Sequence, residues 1–369
     1  MSKTNGRSAS PMFKERLSSV RGPIKKLGAQ AFLLTNPADY FYLTGFTGDE
    51  SAVMLTPRDV YIISDRRFEE QIKHECPWAR TYMRRGLLNA EIAKACADLK
   101  VRKLAVQSEN LTLADKAEIE RLAKPVKTVA TPAVVRGLRK LKDATEVAAM
   151  RKAIRVAEVA FEAARRTIKP GQTELHMAAQ LEFEMKSRGA SGPSFPTICA
   201  EGPNAALPHA HPGKRKARRG SAILFDWGAR VGGYCSDLTR MVFVGSIPPR
   251  IRTIYRIVLD AQLAAISDIR PGRRMCEVDA VARRWIERAG YEKQFSHGLG
   301  HGLGLDVHEA PSLSWRSDEE LVAGMIVTVE PGIYLPGVGG VRIEDDVLVT
   351  PTGCKVLTHL DKRMEDAVI

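Results

Sequence analysis

IKPGQTELHMAAQLEFEMKSRG, residues 168–189, and IRPGRRMCEVDAVARRWIERAG, residues 269–290, are two copies of one pattern set about 100 residues apart. Each opens on Pro-Gly, runs on with helical spacing, and stops at a glycine. The spacing predicts helices over Glu174–Ser187 and Glu277–Arg288, each with an acid near its start, where the helix dipole favours one. Upstream, Glu146–Thr167 and Ile251–Ser267 also have helical spacing, so each Pro-Gly separates two helices. After each helix pair the chain turns to β-rich runs. A repeat of turn, helices and strand blocks together predicts two α-α-β-β halves related by a pseudo-twofold axis, with antiparallel strands meeting at a central site.

Outside the repeat, residues from about Arg16 to Ala130 alternate two kinds of segment. Ala31–Leu34, Ala52–Leu55, Val60–Ser64 and Leu104–Gln107 read as strands, and Arg67–His74, Asn89–Leu99 and Leu113–Leu122 as helices with charged outer faces. This is an α/β module of its own. The pattern breaks between Pro125 and Leu141, where basic residues gather. The first dozen residues are polar, lack the apolar core of a secretory signal, and read as a disordered tail.

Bulk composition narrows the classes. With 44% hydrophobic and 27% charged residues, the 369-residue chain is an ordinary globular protein of two domains or one large one. No run approaches the ~20 apolar residues of a membrane helix. The six cysteines (Cys76, Cys96, Cys199, Cys235, Cys276, Cys354) include no Cys-x-x-Cys pair and fit reduced thiols of a cytoplasmic protein. The net charge of +13 raises a nucleic-acid partner, but it is split between the N-terminal tail, the stretch Arg136–Lys142 and the run Lys214, Arg215, Lys216, Arg218, Arg219. No nucleic-acid-binding motif accompanies these clusters, which read as solvated faces or as attraction for an acidic partner.

Chemistry concentrates in the strand blocks. In Ala222–Val244 two apolar runs flank Gly232-Gly233, a hairpin signal. Folding about Val231-Gly232 sets Asp226 opposite Asp237, with Cβ atoms ~5 Å apart. Taken alone, the pair fits two solvated acids equally well; in apolar surroundings a cation between them relieves the repulsion. Downstream, His297-Gly-Leu-Gly-His301-Gly-Leu-Gly-Leu-Asp-Val-His308 sets three imidazoles among glycines, which allow close backbone packing and unusual dihedrals. The glycines resemble a phosphate loop only superficially, without its lysine. Glu330 ends the apolar run Met325–Val329 before Pro-Gly, and Arg342 and Glu344 share one face of the next run, as a salt bridge or as part of the same site. Four carboxylates and one imidazole suit Mn, Co or Zn, and carboxylates can bridge two ions ~3.5–4 Å apart.

The order and spacing of these motifs resemble the pita-bread metallopeptidases, the family of methionine aminopeptidase, aminopeptidase P and prolidase, over nearly the whole chain. Arg139-Lys-Leu-Lys142-Asp-Ala-Thr-Glu146 resembles the family's approach to the catalytic domain. Asn36-Pro-Ala-Asp-Tyr-Phe-Tyr-Leu-Thr-Gly45 and Ile63-Ser-Asp65-Arg-Arg-Phe68 resemble the creatinase-type N-terminal domain of the Xaa-Pro branch. The resemblance implies a disordered tail over 1–12, an α/β domain over 13–135, and an α+β pita-bread catalytic domain over 136–369. It further implies two divalent ions, manganese first with cobalt or zinc as alternatives. Asp237 and Glu344 would bridge them, Asp226 would bind one, and His301 and Glu330 the other. His209, seventeen residues before Asp226, would face the substrate in preference to His211. His308 would steady the developing oxyanion, His297 would line the pocket, and Arg342 would orient Glu344. Glu330 would also carry a proton to the leaving nitrogen.

The implied reaction is hydrolysis of the Xaa-Pro bond of dipeptides or short peptides by a metal-activated hydroxide, in a cytoplasmic homodimer with neither nucleic acid nor membrane as partner. Two other readings compete: a same-fold enzyme acting on a small non-peptide amide, as creatinase does, and a non-catalytic relative that binds protein or RNA. Creatinase works without the metal ligands and non-catalytic relatives typically lose them, whereas every motif position is filled here.

Overall fold

In the computed structural model, which describes residues 8–369, both Pro-Gly turns do the same work. Gly171 and Gly272 have φ of +94° and +78°, a region open to glycine and costly for other residues. Each turn reverses the chain between antiparallel neighbours: Ala144–Arg165 with Glu174–Ser187, and Pro249–Asp268 with Met275–Arg288. The first of these helices starts on a capping box. Asp143 Oδ1 accepts from the Thr145 and Glu146 amides at 2.8 and 3.0 Å, and Glu146 Oε2 accepts from the Asp143 amide at 3.2 Å.

Each helix pair covers an antiparallel sheet, and the strand order repeats. In the first half Ala222–Trp227 lies between Ile198–Glu201 and Leu238–Phe243; in the second Ile326–Val329 lies between Gly300–Gly302 and Asp345–Thr350. The α-α-β-β repeat expected from the sequence is therefore present. The halves join at an antiparallel bridge between Thr239 and Glu344, where the Glu344 amide donates to the Thr239 carbonyl at 3.2 Å. Apolar helix faces fill the space behind the sheets. Phe161 stacks on Trp227 with ring centroids 4.2 Å apart, and the Trp227 indole N–H donates to the Ala157 carbonyl at 3.1 Å, so its one polar atom is satisfied. Burying a side chain of this size contributes roughly 2–3 kcal/mol.

The chain divides into two compact units, one ending at Arg139 and the other spanning Lys140–Ile369. The first contains a mixed six-stranded sheet in which Ala31–Leu34 pairs antiparallel with Ala52–Leu55 and parallel with Lys103–Gln107. Within it Asp39 and Arg139, both buried, pair at 2.7 Å. The expected tail is corrected at its end: Pro11 and Met12 form the first turn of the helix Pro11–Lys26, where a proline has no N–H to lose. Residues 1–7 lie outside the described residues. Among the described residues no helix is long and apolar enough to cross a membrane. Lys214, Arg215, Lys216, Arg218 and Arg219 are all exposed.

Candidate metal centre

The hairpin after Ala222–Trp227 closes differently from the expected register. Val231 pairs with Tyr234, and Gly232 and Gly233 form the turn with φ of +58° and +86°. Both central residues of such a tight turn need positive φ, which a β-branched valine resists and glycine accepts. The register shifts by two, so Thr239 rather than Asp237 stands opposite Asp226. An even shift leaves the two acids on one face, as diagonal neighbours. In the second half Val329 pairs with Asp345, and one further step along that register sets Glu330 against Glu344.

The five expected residues converge unequally. Ligand atoms of Asp237, His301 and Glu344 lie within 4.8 Å of one another. His301 Nε2 is 3.4 Å from Glu330 Oε1 and 3.6 Å from Asp237 Oδ2. Asp226 instead turns one oxygen to Arg342, whose Nη2 donates to Oδ2 at 2.5 Å. Its other oxygen, Oδ1, is buried without a hydrogen-bond partner among the described residues. The His301 Nδ1–H donates to the Gly302 carbonyl at 3.1 Å, which leaves the Nε2 lone pair directed at the carboxylates, the tautomer a metal ligand needs.

Electrostatics explain what this cluster requires. Burial, then the neighbouring carboxylates Glu344, Asp226 and Glu330, push the Asp237 carboxyl far up. Burial and neighbouring acids do the same to Glu344, and burial raises Glu330 to about 8 and raises Asp226 as well. Burial also lowers His301 to about 3, so its imidazole is neutral at physiological pH. Carboxyls that resist ionising together, a neutral imidazole and an orphaned oxygen make a donor set that divalent cations complete. The residues fit such ions.

The sign of the pH effect follows. In the unfolded chain a glutamate titrates near ~4.3. The proton Glu330 keeps in the fold contributes stability that is complete below that value and lost as pH rises through about 8. Asp237, Glu344 and Asp226 shift in the same direction. Metal-free protein should therefore melt at falling temperature from about pH 5 to pH 8, and Mn2+ should flatten the slope. A melting temperature that stays level or rises over this interval without metal would rule out such crowding.

Around the cluster opens a cleft of about 710 Å³, lined by all five residues together with His209, His211, His297, His308 and Arg342. His209 and His308 are exposed to it, and His211 is exposed beside them. His308 packs edge-on against His301, with ring centroids 4.3 Å apart. Its neighbour Glu309 is fixed by a buried pair with Lys142 at 2.8 Å. His297 has both ring nitrogens engaged, Nδ1 with the Gly298 carbonyl and Nε2 with the Tyr334 hydroxyl, each at 2.8 Å. Close packing accounts for the glycines: a Cβ on Gly300 would stand 2.0 Å from the Thr328 carbonyl oxygen, and one on Gly302 2.4 Å from that of Ala310. The expected unusual dihedrals are not there, since neither glycine has positive φ.

Arg342 meets Asp226 rather than Glu344, the partner expected from their alternation. Its Nη1 donates to Tyr334 Oη at 2.7 Å and its Nε to Thr239 Oγ1 at 3.1 Å; that hydroxyl in turn donates to Glu344 Oε2 at 2.6 Å. Tyr334 and Thr239 escaped the sequence reading. Period-two alternation from Asp237 places Thr239 on the acid-bearing face, which is the signal that could have found it. Arg240 escaped as well: it donates to the Glu344 carbonyl at 2.5 Å and to Asp345 Oδ1 at 2.7 Å, locking the backbone at that acid. Burial alone would raise Asp345, but Arg240 and Lys362 hold it at about 2.

The chain is similar to known proteins over nearly its whole length. The model of metallopeptidase family M24 matches residues 148–351, and that of the creatinase/prolidase N-terminal domain matches residues 16–141. An uncharacterized peptidase of Bacillus subtilis (strain 168) is 36% identical over 349 residues, spanning 95% of this chain and 99% of its own length. The structure of an Xaa-Pro dipeptidase from Bacillus anthracis is similar with a TM-score of 0.92 and 36% identity, over 97% of this chain and 100% of that one. An X-Pro aminopeptidase from Thermotoga maritima MSB8 is similar with a TM-score of 0.86 and 35% identity, over 92% and 98%.

Proposed function

Because the chain belongs to metallopeptidase family M24, we propose that it hydrolyses the Xaa-Pro bond of dipeptides or short peptides at a centre of two divalent ions. The observation that carries this is the convergence of Asp237, His301 and Glu344, with Glu330 beside His301 and Asp226, a residue lining the same cleft, keeping one buried oxygen without a hydrogen-bond partner among the described residues. Asp237 and Glu344 would serve both ions, Asp226 one of them, and His301 with Glu330 the other. When bound, such ions supply a hydroxide near neutral pH and polarise the scissile carbonyl.

The chain's own groups do the rest. His308 and His209, exposed to the cleft, donate hydrogen bonds to charge that develops only in the transition state. Glu330 would take the proton that the attacking water gives up and pass it to the leaving nitrogen, so the carboxylate ends as it began. Arg342 holds Asp226 and, through Thr239, the Glu344 carboxylate in place. His297, fixed by Tyr334, forms part of the substrate wall. Phe195, Pro196 and Ile198 add an apolar wall suited to a pyrrolidine ring, whose acylated nitrogen has no hydrogen to satisfy. The same reading takes manganese as the working ion and a homodimer in the cytoplasm, the last supported by six free cysteines.

The test is metal-free protein reconstituted separately with Mn, Co or Zn and offered Xaa-Pro dipeptides, Xaa-Pro tripeptides and matched Xaa-Ala controls. Hydrolysis confined to proline-containing substrates supports the reading, and the preferred length tells a dipeptidase from an aminopeptidase. Equal turnover of the alanine controls, or none of any peptide, would count against it.

A further inference from the structure

Glu174 opens the second helix of the first half and is fully buried, yet it lies outside the metal cluster. Its carboxylate spends both oxygens on one loop. Oε1 accepts from the Glu201 amide at 2.7 Å and Asn204 Nδ2 at 3.0 Å; Oε2 accepts from Asn204 Nδ2 at 3.1 Å and from the Gly213 amide at 2.8 Å. Residues 201 and 213 are the two ends of the segment that carries His209 and His211 into the cleft. The backbone reinforces the closure, with the Leu175 amide donating to the Gly213 carbonyl at 3.1 Å. One side chain thus fastens both ends of a histidine-bearing loop.

The second half has a counterpart. Asp279, also buried and on the second helix, accepts from the Leu299 amide at 3.0 Å and pairs with Arg283, which donates to the His297 carbonyl at 2.9 Å. An acid on the second helix of each half therefore fixes a loop bearing a cleft histidine. By the register of the two Pro-Gly turns Met275 stands where Glu174 does, and the acid near that helix start, Glu277, pairs at the surface with Arg273 and Arg274. The device recurs in space on Asp279, one helical turn past Met275.

We propose that Glu174 is a positioning residue that acts through His209, setting that imidazole against the substrate; this rests on the reading of the cleft as a peptidase site. Glu174→Gln is the sharp variant, since an amide offers one acceptor oxygen where the carboxylate offers two, and its N–H groups oppose a backbone donor. None of the five metal-cluster residues lies on the loop, so metal content should stay at the wild-type value. We expect kcat/KM on an Xaa-Pro peptide to fall about 10- to 100-fold, carried by kcat. In a His209→Ala background the same change should have no further effect within about twofold, because the imidazole through which Glu174 acts is then gone.

Hydrogen exchange provides a readout independent of turnover: segment 201–213 should exchange faster in Glu174→Gln, with strands 222–227 and 238–243 unchanged. Should that variant fail to fold, Asn204→Ala removes only the carboxylate's side-chain partner and should give a smaller loss that again vanishes without His209. Losses that multiply with His209→Ala, unaltered kcat/KM in a folded Glu174→Gln, or unaltered exchange over 201–213 would each overturn the proposal. A wild-type protein that binds metal but cleaves no peptide would instead defeat the functional reading, and the exchange measurement would still decide the clamp.

Discussion

Asp237→Ala should lose bound metal and more than about 10³-fold in kcat/KM on an Xaa-Pro substrate, well beyond the 10–100-fold typical of a group that merely supports a ligand. The reason is geometric. Asp237 Oδ2 lies 3.6 Å from His301 Nε2, and Asp237 belongs to the tightest cluster of donor atoms in the cleft, with His301 and Glu344. Its carboxyl is also the one crowded by four neighbouring acids, Glu344, Asp226, Glu330 and Asp346. Deleting it relieves that repulsion. The metal-free variant should accordingly melt no lower than metal-free wild type at pH 8, while losing the stabilisation that added Mn2+ gives wild type. Metal content by elemental analysis and melting with and without Mn2+ check both statements. Full activity in Asp237→Ala would mean that the chemistry lies elsewhere.

His308→Ala should behave differently. We expect kcat to fall about 10²–10³-fold, the loss typical of one transition-state hydrogen-bond donor, with KM and metal content little changed. His308 is exposed to the cleft, edge-on to His301. Desolvation by burial lowers its pKa, so at neutral pH it carries one N–H to donate and no positive charge. Steady-state kinetics with metal analysis separate this from a binding role. A raised KM at unchanged kcat would show that His308 serves the bound substrate rather than the transition state.

Much of this was legible in the chain because it is written in local periodicity. The paired Pro-Gly breaks and the helices on either side are short-range features, and the observed helix Glu174–Ser187 has the limits its spacing predicts. Strands Ala31–Leu34, Ala52–Leu55 and Val60–Ser64 also appear with the expected ends. The hairpin was legible in kind but not in register: both turn residues require positive φ, which Gly232 and Gly233 supply and Val231 resists. The helix Pro37–Thr44 is not among the expected elements, though its signals are local: Asn36 as N-cap and proline at the first position.

What stayed hidden depends on residues far apart in sequence. Nothing near Arg342 announces that it meets Asp226, 116 positions away, or that Thr239 relays it to Glu344. Glu174 read as a dipole-favoured helix start. Only the fold brings Glu201, Asn204 and Gly213 onto its carboxylate. The Lys142–Glu309 pair beside His308 likewise joins residues 167 apart. The acids and imidazoles of the cluster were visible in the sequence, whereas the groups that aim them are a property of the packed domain.

In the proposed function, peptide hydrolysis belongs to a centre of two ions held by Asp226, Asp237, His301, Glu330 and Glu344. Titration of metal-free protein with Mn2+, recording bound ion per chain and the rate of Xaa-Pro hydrolysis together, tests it most directly. The rate should stay low until the centre fills and should saturate at two ions per chain. Full activity at one ion per chain, or hydrolysis that persists in excess chelator, would contradict it.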